Sequence, residues 1–405
     1  MATQPLNFLC ISSYFKGVAF IKSIHQQGHK VYLMTDEKLK NEPWPFDILE
    51  DVFYVHLDDK GAWNMQHVIN GLAFKVRSIK FERFIALDDF DVERVAHLRE
   101  HFRMPGMGET TSRYFRDKLA MRIKAKEHDI PVPEFVSLFN DIDINTFTDW
   151  VPAPWLIKPR SAASATGIKK IHSKEELWQV IGELGDHRHE YLLEQFAPGD
   201  VYHVDALSND GKVIFSRVSQ YLDTPFEVAH GGGIFRSVIS PFKDKDDKQL
   251  QKLNAKVMKS FGMQYSASHT EFIKGREDGK YYFLETSSRV GGANLAEMVE
   301  ASSGINLWKE WAKIEIAKAL KTEYNLPEVQ NDYAGIIVSL SRFERPDLSV
   351  FDDPEIVWKM DKKWHVGIIV RSKSRDKVVQ LLDRYAEIIG RDFHASLPAP
   401  DRPTD

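Results

Sequence analysis

Apolar positions along this chain fall into two periods. Short runs dense in Val, Ile, Leu, Phe and Tyr read as strands, and stretches where apolar residues return every three or four positions read as helices. From Leu6 to Leu87 the two alternate. The pattern predicts strands at Leu6–Ile11, Lys30–Thr35, Val52–Val55 and Arg83–Leu87, and helices at Val18–Gln27, ended by Gly28, and at Trp63–Ile79. Such alternation predicts a parallel sheet covered by helices, a doubly wound unit over residues 1–110. A further helix is expected at Val92–His101, after which Met104-Pro-Gly-Met-Gly108 breaks the periodicity.

Beyond that break the pattern turns to strands interrupted by glycines. A long helix is expected at Ser112–His128, then a helix and turn at Asp141–Pro154. Strands follow at Trp155–Pro159, Gly167–His172, Tyr191–Phe196, Val201–Ser208, Val213–Leu222, Ala267–Lys274 and Tyr281–Ser287, with helices at Lys174–Leu184, Asp246–Phe261, Ala293–Ala301 and Leu307–Leu320. This part, residues 111–325, reads as α+β with mainly antiparallel pairing, and about 130–198 reads as a lobe of its own. The polar stretch Lys321–Asp332 leads into a third unit over 326–405. It reads as a βαβ-like piece with strands Ala334–Ser341 and His365–Ser372 and a helix Asp376–Ile389, followed by a loose tail with three prolines.

Composition narrows the class of protein. With 405 residues, 43% hydrophobic and 28% charged, the chain has the usage of a globular protein of two or three domains. The balance of 54 basic against 59 acidic residues gives −5, with no basic tract to release counterions from a nucleic-acid backbone. Nucleic acid is therefore not an expected partner. The lone cysteine, Cys10, sits in an apolar run and reads as a buried strand residue. No secretion signal or bilayer-spanning apolar run stands out, so a cytoplasmic protein without a membrane partner is expected.

Candidate chemistry begins with two glutamates. His269 to Glu285 reads as a hairpin turning in Gly275–Gly279. If it is symmetric about Asp278, Glu271 faces Glu285 with Cβ atoms about 5 Å apart. Two facing carboxylates repel, and a hard divalent cation such as Mg²⁺ relieves them; the alternative is a solvated sheet face with shifted register. His269, two residues from Glu271, points to the same face. Lys158 closes an apolar strand and precedes the small-residue loop Ser161–Gly167, where backbone N–H groups can approach an anion; a plain hairpin is the alternative. No G-x-x-x-x-G-K-[ST] or G-x-G-x-x-G motif is present. Asp88 or Asp89 either caps the following helix or, beyond the strand ends, meets a substrate. His230-Gly-Gly-Gly233 with Arg236 reads as an acceptor-side loop or as a simple turn.

The order of these elements carries a resemblance. Asp117-Lys118, Ile157-Lys158-Pro159, the loop Ser161–Gly167, Glu194-Gln195-Phe196, Asp200–Asp205, Thr270-Glu271-Phe272 and Leu284-Glu285-Thr-Ser-Ser-Arg289 together resemble the ATP-grasp superfamily, over nearly the whole chain. The resemblance implies a Rossmann-like domain followed by an ATP-grasp fold of two α+β lobes and a small C-terminal α+β piece. It implies that Lys118 and Lys158 hold the phosphates of ATP, that the loop with Ser161, Ser164 and Gly167 covers them, and that Glu194, Gln195 and Phe196 form the adenine hinge. His203 and Asp205 would face the nucleotide. Glu271 and Glu285 would ligate Mg²⁺, with Mn²⁺ as the alternative ion, and Arg289 would steady a carboxylate or acyl phosphate. Ser287 stands where many members have a third, asparagine ligand.

The implied reaction is ADP-forming: a small-molecule carboxylate is phosphorylated by ATP and an amine then displaces phosphate, with Arg289 and Lys158 as catalytic residues. His230, Arg236, His269 and Asp89 are the candidate substrate contacts. A homodimer is an expected assembly. Two rivals are a bicarbonate-activating enzyme like biotin carboxylase and a non-catalytic ATP-binding protein. Against the first, Val-Gly-Gly-Ala follows Arg289 where those enzymes carry a glutamate.

Overall fold

The alternating N-terminal pattern folds as a parallel sheet. In the computed structural model, which describes residues 4–59, 61–162 and 166–396, strands β1 (Asn7–Ser12), β2 (Lys30–Asp36), β3 (Leu49–Val55) and β4 (Phe81–Ala86) stand in the order β3-β2-β1-β4. β1 is buried along nearly its whole length, as a strand covered on both faces must be. Helix Val18–Gln26 joins β1 to β2 and packs on helix Leu307–Leu320 of the later chain, with Phe20 edge-on to Trp311 at 4.9 Å. The first unit is thereby tied to the rest through a shared apolar core.

A second sheet is antiparallel and small. β5 (Phe135–Ser137), β6 (Trp155–Pro159), β7 (Lys169–Ile171) and β8 (Tyr191–Gln195) take the order β5-β8-β6-β7. Helices Asp141–Trp150 and Lys174–Leu184 bury Phe147, Leu177 and Ile181 against Trp155, Ile157 and Leu193.

The largest sheet has eight strands. β9 (Gly199–Asn209), β10 (Lys212–Tyr221), β11 (Phe235–Ile239), β12 (Ser266–Gly275), β13 (Tyr281–Ser287), β14 (Tyr333–Leu340), β15 (Ile356–Lys359) and β16 (His365–Ser372) run β13-β12-β9-β10-β11-β14-β16-β15, antiparallel throughout. The βαβ-like reading of the C-terminal segment is corrected here. β14 and β16 pair antiparallel, helix Arg375–Asp392 follows both, and β14 continues the large sheet through β11. An antiparallel pair needs no crossover helix.

The expected helix Ser112–His128 is also divided, into Glu109–Arg113 and Lys118–Glu127. Asp117 is the cause: its carboxylate accepts from the N–H groups of Leu119 and Ala120, so it caps a new helix and makes Lys118 the first helical residue.

Beneath the β12–β13 hairpin lies a core of Phe115, Met121, Val257, Phe261, Phe272 and Phe283, with Phe261 edge-on to Phe283 at 5.5 Å. Truncation there leaves a cavity a stiff sheet cannot close. Phe283→Ala should cost about 3–5 kcal/mol of stability, seen as a lowered denaturant midpoint; a midpoint equal to the unmodified protein's would show that the hairpin does not depend on this core.

Candidate active site

The β12–β13 hairpin brings its two glutamates together. Glu271 pairs with Glu285, Thr270 with Thr286 and His269 with Ser287, and beyond Glu271 the register shifts by one, leaving Leu284 as the extra residue of a bulge. The Leu284 carbonyl accepts from the Arg122 guanidinium. Glu271 Oε1 receives the Tyr221 hydroxyl at 2.9 Å and lies 3.5 Å from His269 Nε2; Glu285 Oε2 lies 2.8 Å from Lys118 Nζ. Among the described residues, Glu271 Oε2 and Glu285 Oε1 have no hydrogen bond or ion pair. Two uncommitted carboxylate oxygens at facing strand positions are the donor set a hard divalent cation takes.

Both glutamates open into a cavity of about 690 Å³, between the large sheet and the small one, which also reaches Lys118, Lys158, Phe196 and Arg289. Lys118 Nζ additionally donates to the Ala162 carbonyl at 2.7 Å, so one side chain joins the hairpin to the loop after β6. Lys158 is ion-paired with Glu194, whose other oxygen accepts from Arg122 Nε at 2.6 Å. Burial opposes ionisation of Glu194, but the Arg122 and Lys158 charges hold its carboxyl below the usual range.

Asp89, from the first unit, closes the other end. It accepts from the Ser287 hydroxyl at 2.5 Å and lies 3.3 Å from Arg116 and 3.8 Å from Arg289. Burial would raise its pKa; Arg289, then Arg116, then the Ser287 hydroxyl bring it below the ordinary value. Arg289 gives Nη1 to the Val290 carbonyl, and its buried Nε has no hydrogen-bond partner. A guanidinium lining a cavity suits a planar oxyanion.

Behind the glutamates is a buried chain. Asp205 accepts from Nδ1 of His203 at 2.7 Å and lies 2.8 Å from Nδ1 of His269, and His203 Nε2 meets the Ser237 hydroxyl at 2.7 Å. Although ligating atoms of these three residues lie within 4.8 Å of one another, hydrogen bonds already join them. Burial would depress the His269 pKa, yet Asp205 and then Glu271 raise it to about 9. Gly291 lies so close that a Cβ there would sit 2.8 Å from Asp205 Oδ1 and 3.0 Å from His269 Nδ1.

The sequence-predicted residues divide clearly. Lys118, Lys158, Glu194, Gln195, Phe196, His269, Glu271, Glu285, Ser287, Arg289 and Asp89 all line the one cavity. His203 and Asp205 do not face it; they are fully buried behind His269. Arg236 does not face it either, because strand alternation turns Phe235 inward and sends Arg236 to ion pairs with Asp223 and Asp383. Ser287 has its hydroxyl committed to Asp89 rather than offered as a third metal ligand. Ser161 is exposed and gives its carbonyl to Arg116, and Gly167 lies against Pro159 rather than lining the cavity; Ser164 lies outside the described residues. His230 belongs to helix Pro225–Gly231 rather than to a loop, and its side chain is outside the description. Asp88 caps the turn after β4 by accepting from the Phe90 N–H, which frees Asp89 for the cavity.

Arg116, Arg122 and Tyr221 were not anticipated. Arg122 alone left a trace in the sequence, one turn after Lys118 on the same helix face.

Comparison with known proteins gives a consistent picture. Residues 115–293 match the family model of the ATP-grasp domain. The L-arginine-specific L-amino acid ligase of Bacillus subtilis is 26% identical over 242 residues, 58% of this chain and 58% of that protein, so the chain spans under two thirds of that relative's length. An L-amino acid ligase from Bacillus licheniformis superposes with a TM-score of 0.76 at 17% identity, over 97% of this chain and 99% of the other. The biotin carboxylase domain of Hydrogenobacter thermophilus 2-oxoglutarate carboxylase, solved with MgADP and bicarbonate, gives 0.71 at 16% identity, covering 96% and 91%. The fold is the ATP-grasp fold. No described helix is long and apolar enough to cross a membrane.

The raised His269 pKa fixes the sign of a pH effect. Its folded value of about 9 lies above the unfolded ~6.5. Its stabilisation is therefore complete below about 6.5 and is lost as pH rises through about 9. In the metal-free protein, Asp205→Asn should lower the His269 titration midpoint followed by NMR and flatten the fall in melting temperature over that window. An unchanged midpoint would mean that Asp205 does not hold the imidazolium.

Proposed function

Since residues 115–293 are an ATP-grasp domain, we propose that the chain is an ADP-forming ligase that joins the carboxylate of one L-amino acid to the amine of a second substrate, making an amide or peptide bond. The observation that carries this reading is the facing pair Glu271 and Glu285, with Lys118 at 2.8 Å and the partly uncommitted Arg289 in the same cavity. Anionic nucleotide and anionic acid can meet only where cations cancel their repulsion, and these residues supply that. The choice of amino acids rests on the two L-amino acid ligases that the chain resembles.

In the first step a carboxylate oxygen of the acid bonds to the γ-phosphorus of ATP and the bond to ADP breaks. In the second, the amine nitrogen bonds to the acyl carbon, phosphate leaves with the electron pair, and the nitrogen loses a proton. Lys118 and Lys158 hold the phosphates, Lys158 turning from Glu194, which Arg122 continues to neutralise. Gln195 and Phe196 border the adenine; their N–H groups already donate to Glu134 and Pro154, so the hinge is fixed before nucleotide arrives. Glu271 and Glu285 would hold Mg²⁺, with Mn²⁺ as the alternative, and that ion supplies charge neutralisation for the transferred phosphoryl group. Arg289, steadied by Asp89, receives the carboxylate and then the acyl phosphate, where a fixed donor is worth most in the transition state. Tyr221 and His269 orient Glu271 from behind.

The test is ADP and phosphate release with Mg²⁺-ATP across pairs of L-amino acids, with mass spectrometry of the product and bicarbonate plus free biotin as a control. An amide product supports the reading. ATP binding with no turnover across the panel, or turnover only with bicarbonate and biotin, would overturn it. Glu285→Ala and Lys158→Ala should each lower kcat by about 10²–10³ in the same assay while the melting profile stays cooperative.

A further inference from the structure

Two cavities meet the chain at the end of β13. The smaller, of about 320 Å³, reaches it at Ser288, and its charged groups are already paired, Glu315 with Arg83 and Arg99 with the Phe84 carbonyl. The larger one has an end that no step of the proposed reaction uses. Its wall there is Leu222, Phe226 and Val228, from the segment that follows β10, together with Phe235 of β11 and Leu295, the first residue of helix Leu295–Ser303.

Distances place this end beside the reacting groups. The Phe235 ring stands edge-on to Tyr221 at 5.6 Å, and the Tyr221 hydroxyl donates to Glu271 at 2.9 Å. A Cβ at Gly291, two residues after Arg289, would lie 3.4 Å from Leu295 Cβ and 3.0 Å from His269 Nδ1. Phe235 packs against the buried cluster that contains Leu295, and the Leu222 N–H donates to the Arg236 carbonyl at 3.0 Å, which ties the segment after β10 to the same strand. Leu222, Phe226, Val228 and Phe235 are each only partly buried. Large apolar side chains left partly bare around a cavity favour an occupant that covers them.

The acids of this segment are turned to other work. Asp223 is ion-paired with Arg236, and neither lines the cavity. Glu227 does line it, but it is exposed, and its Oε2 accepts from the Thr224 N–H and hydroxyl in the cap of helix Pro225–Gly231. A guanidinium or ammonium drawn in among leucine, valine and phenylalanine side chains would lose water without gaining a buried carboxylate, a cost that an apolar group does not carry. On the ligase reading Arg289 receives the substrate carboxylate, and the side chain of an α-amino acid branches one carbon from that group. We propose that this end of the cavity selects the amino acid whose carboxylate is activated, and that it takes one with a large apolar side chain, such as leucine, methionine or phenylalanine, rather than a basic or acidic one. The assignment to the activated acid rests on the ligase reading; the apolar character of the end does not.

Equilibrium dialysis of the full chain with Mg²⁺, ADP and labelled amino acids reads the pocket without turnover. Leucine, methionine or phenylalanine should bind about tenfold or more tighter than alanine, arginine, lysine or glutamate. In turnover the same order should appear in kcat/KM for the acyl donor, identified by tandem mass spectrometry as the amino-terminal residue of the product. Phe226→Ala should shrink the leucine-to-alanine ratio about tenfold, and Val228→Asp should raise lysine relative to leucine by a similar factor. Both side chains are only partly buried, so the melting profile should stay cooperative, and the dialysis series on the unmodified protein stands whether or not a variant folds. Arginine, lysine or glutamate bound as tightly as leucine, ratios unmoved by both substitutions, apolar residues found only at the carboxyl-terminal position of the product, or no amino acid bound would overturn the proposal. Phosphate release decides the ligase reading separately: turnover without an apolar preference sinks the selection alone, and apolar binding without turnover sinks the ligase reading alone.

Discussion

Two carboxylates held side by side on neighbouring strands set the terms for the rest of this structure. A facing like-charged pair destabilises a sheet, and here the repulsion is met from three directions. Lys118 reaches Glu285 from a helix N-terminus, while Tyr221 and His269 reach Glu271 from β10 and β12. The site is therefore an arrangement of compensating charges, and each elaboration around it keeps one of those groups in place.

The compensation crosses every boundary in the fold. Arg122 joins the hairpin bulge at Leu284 to Glu194 of the small sheet, and Glu194 in turn holds Lys158. Asp89 brings the first sheet to Ser287, Arg116 and Arg289. Buried ion pairs contribute little net stability when whole and cost much when one partner is removed. Such a network therefore does more to fix the relative placement of the three sheets than to stabilise any one of them. The same placement lines the cavity with cations and acids paired across the sheets.

The two cavities share the strand end at Ser287–Arg289, and their charge patterns differ. The first gathers six lysines and arginines and six acids, with Asp89 and Glu194 among the acids already paired with arginine or lysine. The second is lined by one acid, Glu315, and one arginine, Arg99, and Glu315 is ion-paired with Arg83. At the end of β13 and in the bend after it, Ser287 and Arg289 turn to the first cavity and Ser288 to the second.

By itself the sequence determined most element types and the parallel first sheet, because these depend on period, and it paired Glu271 with Glu285 by counting across the turn, a pairing that the structure reaches through the bulge at Leu284. The short strands β5, β11 and β15 and helix Pro225–Gly231 had no such signal. The same local logic was available for Asp117, an N-cap before Lys118, and for Arg122 one turn later, although both were passed over. Tertiary structure alone decided that Asp89 takes the Ser287 hydroxyl across 198 residues, that Arg236 turns away, that His203 and Asp205 lie behind the site, and that β14 extends the large sheet. Periodicity places a residue on a face, but which face is covered, and by what, is settled by packing between segments far apart in the chain.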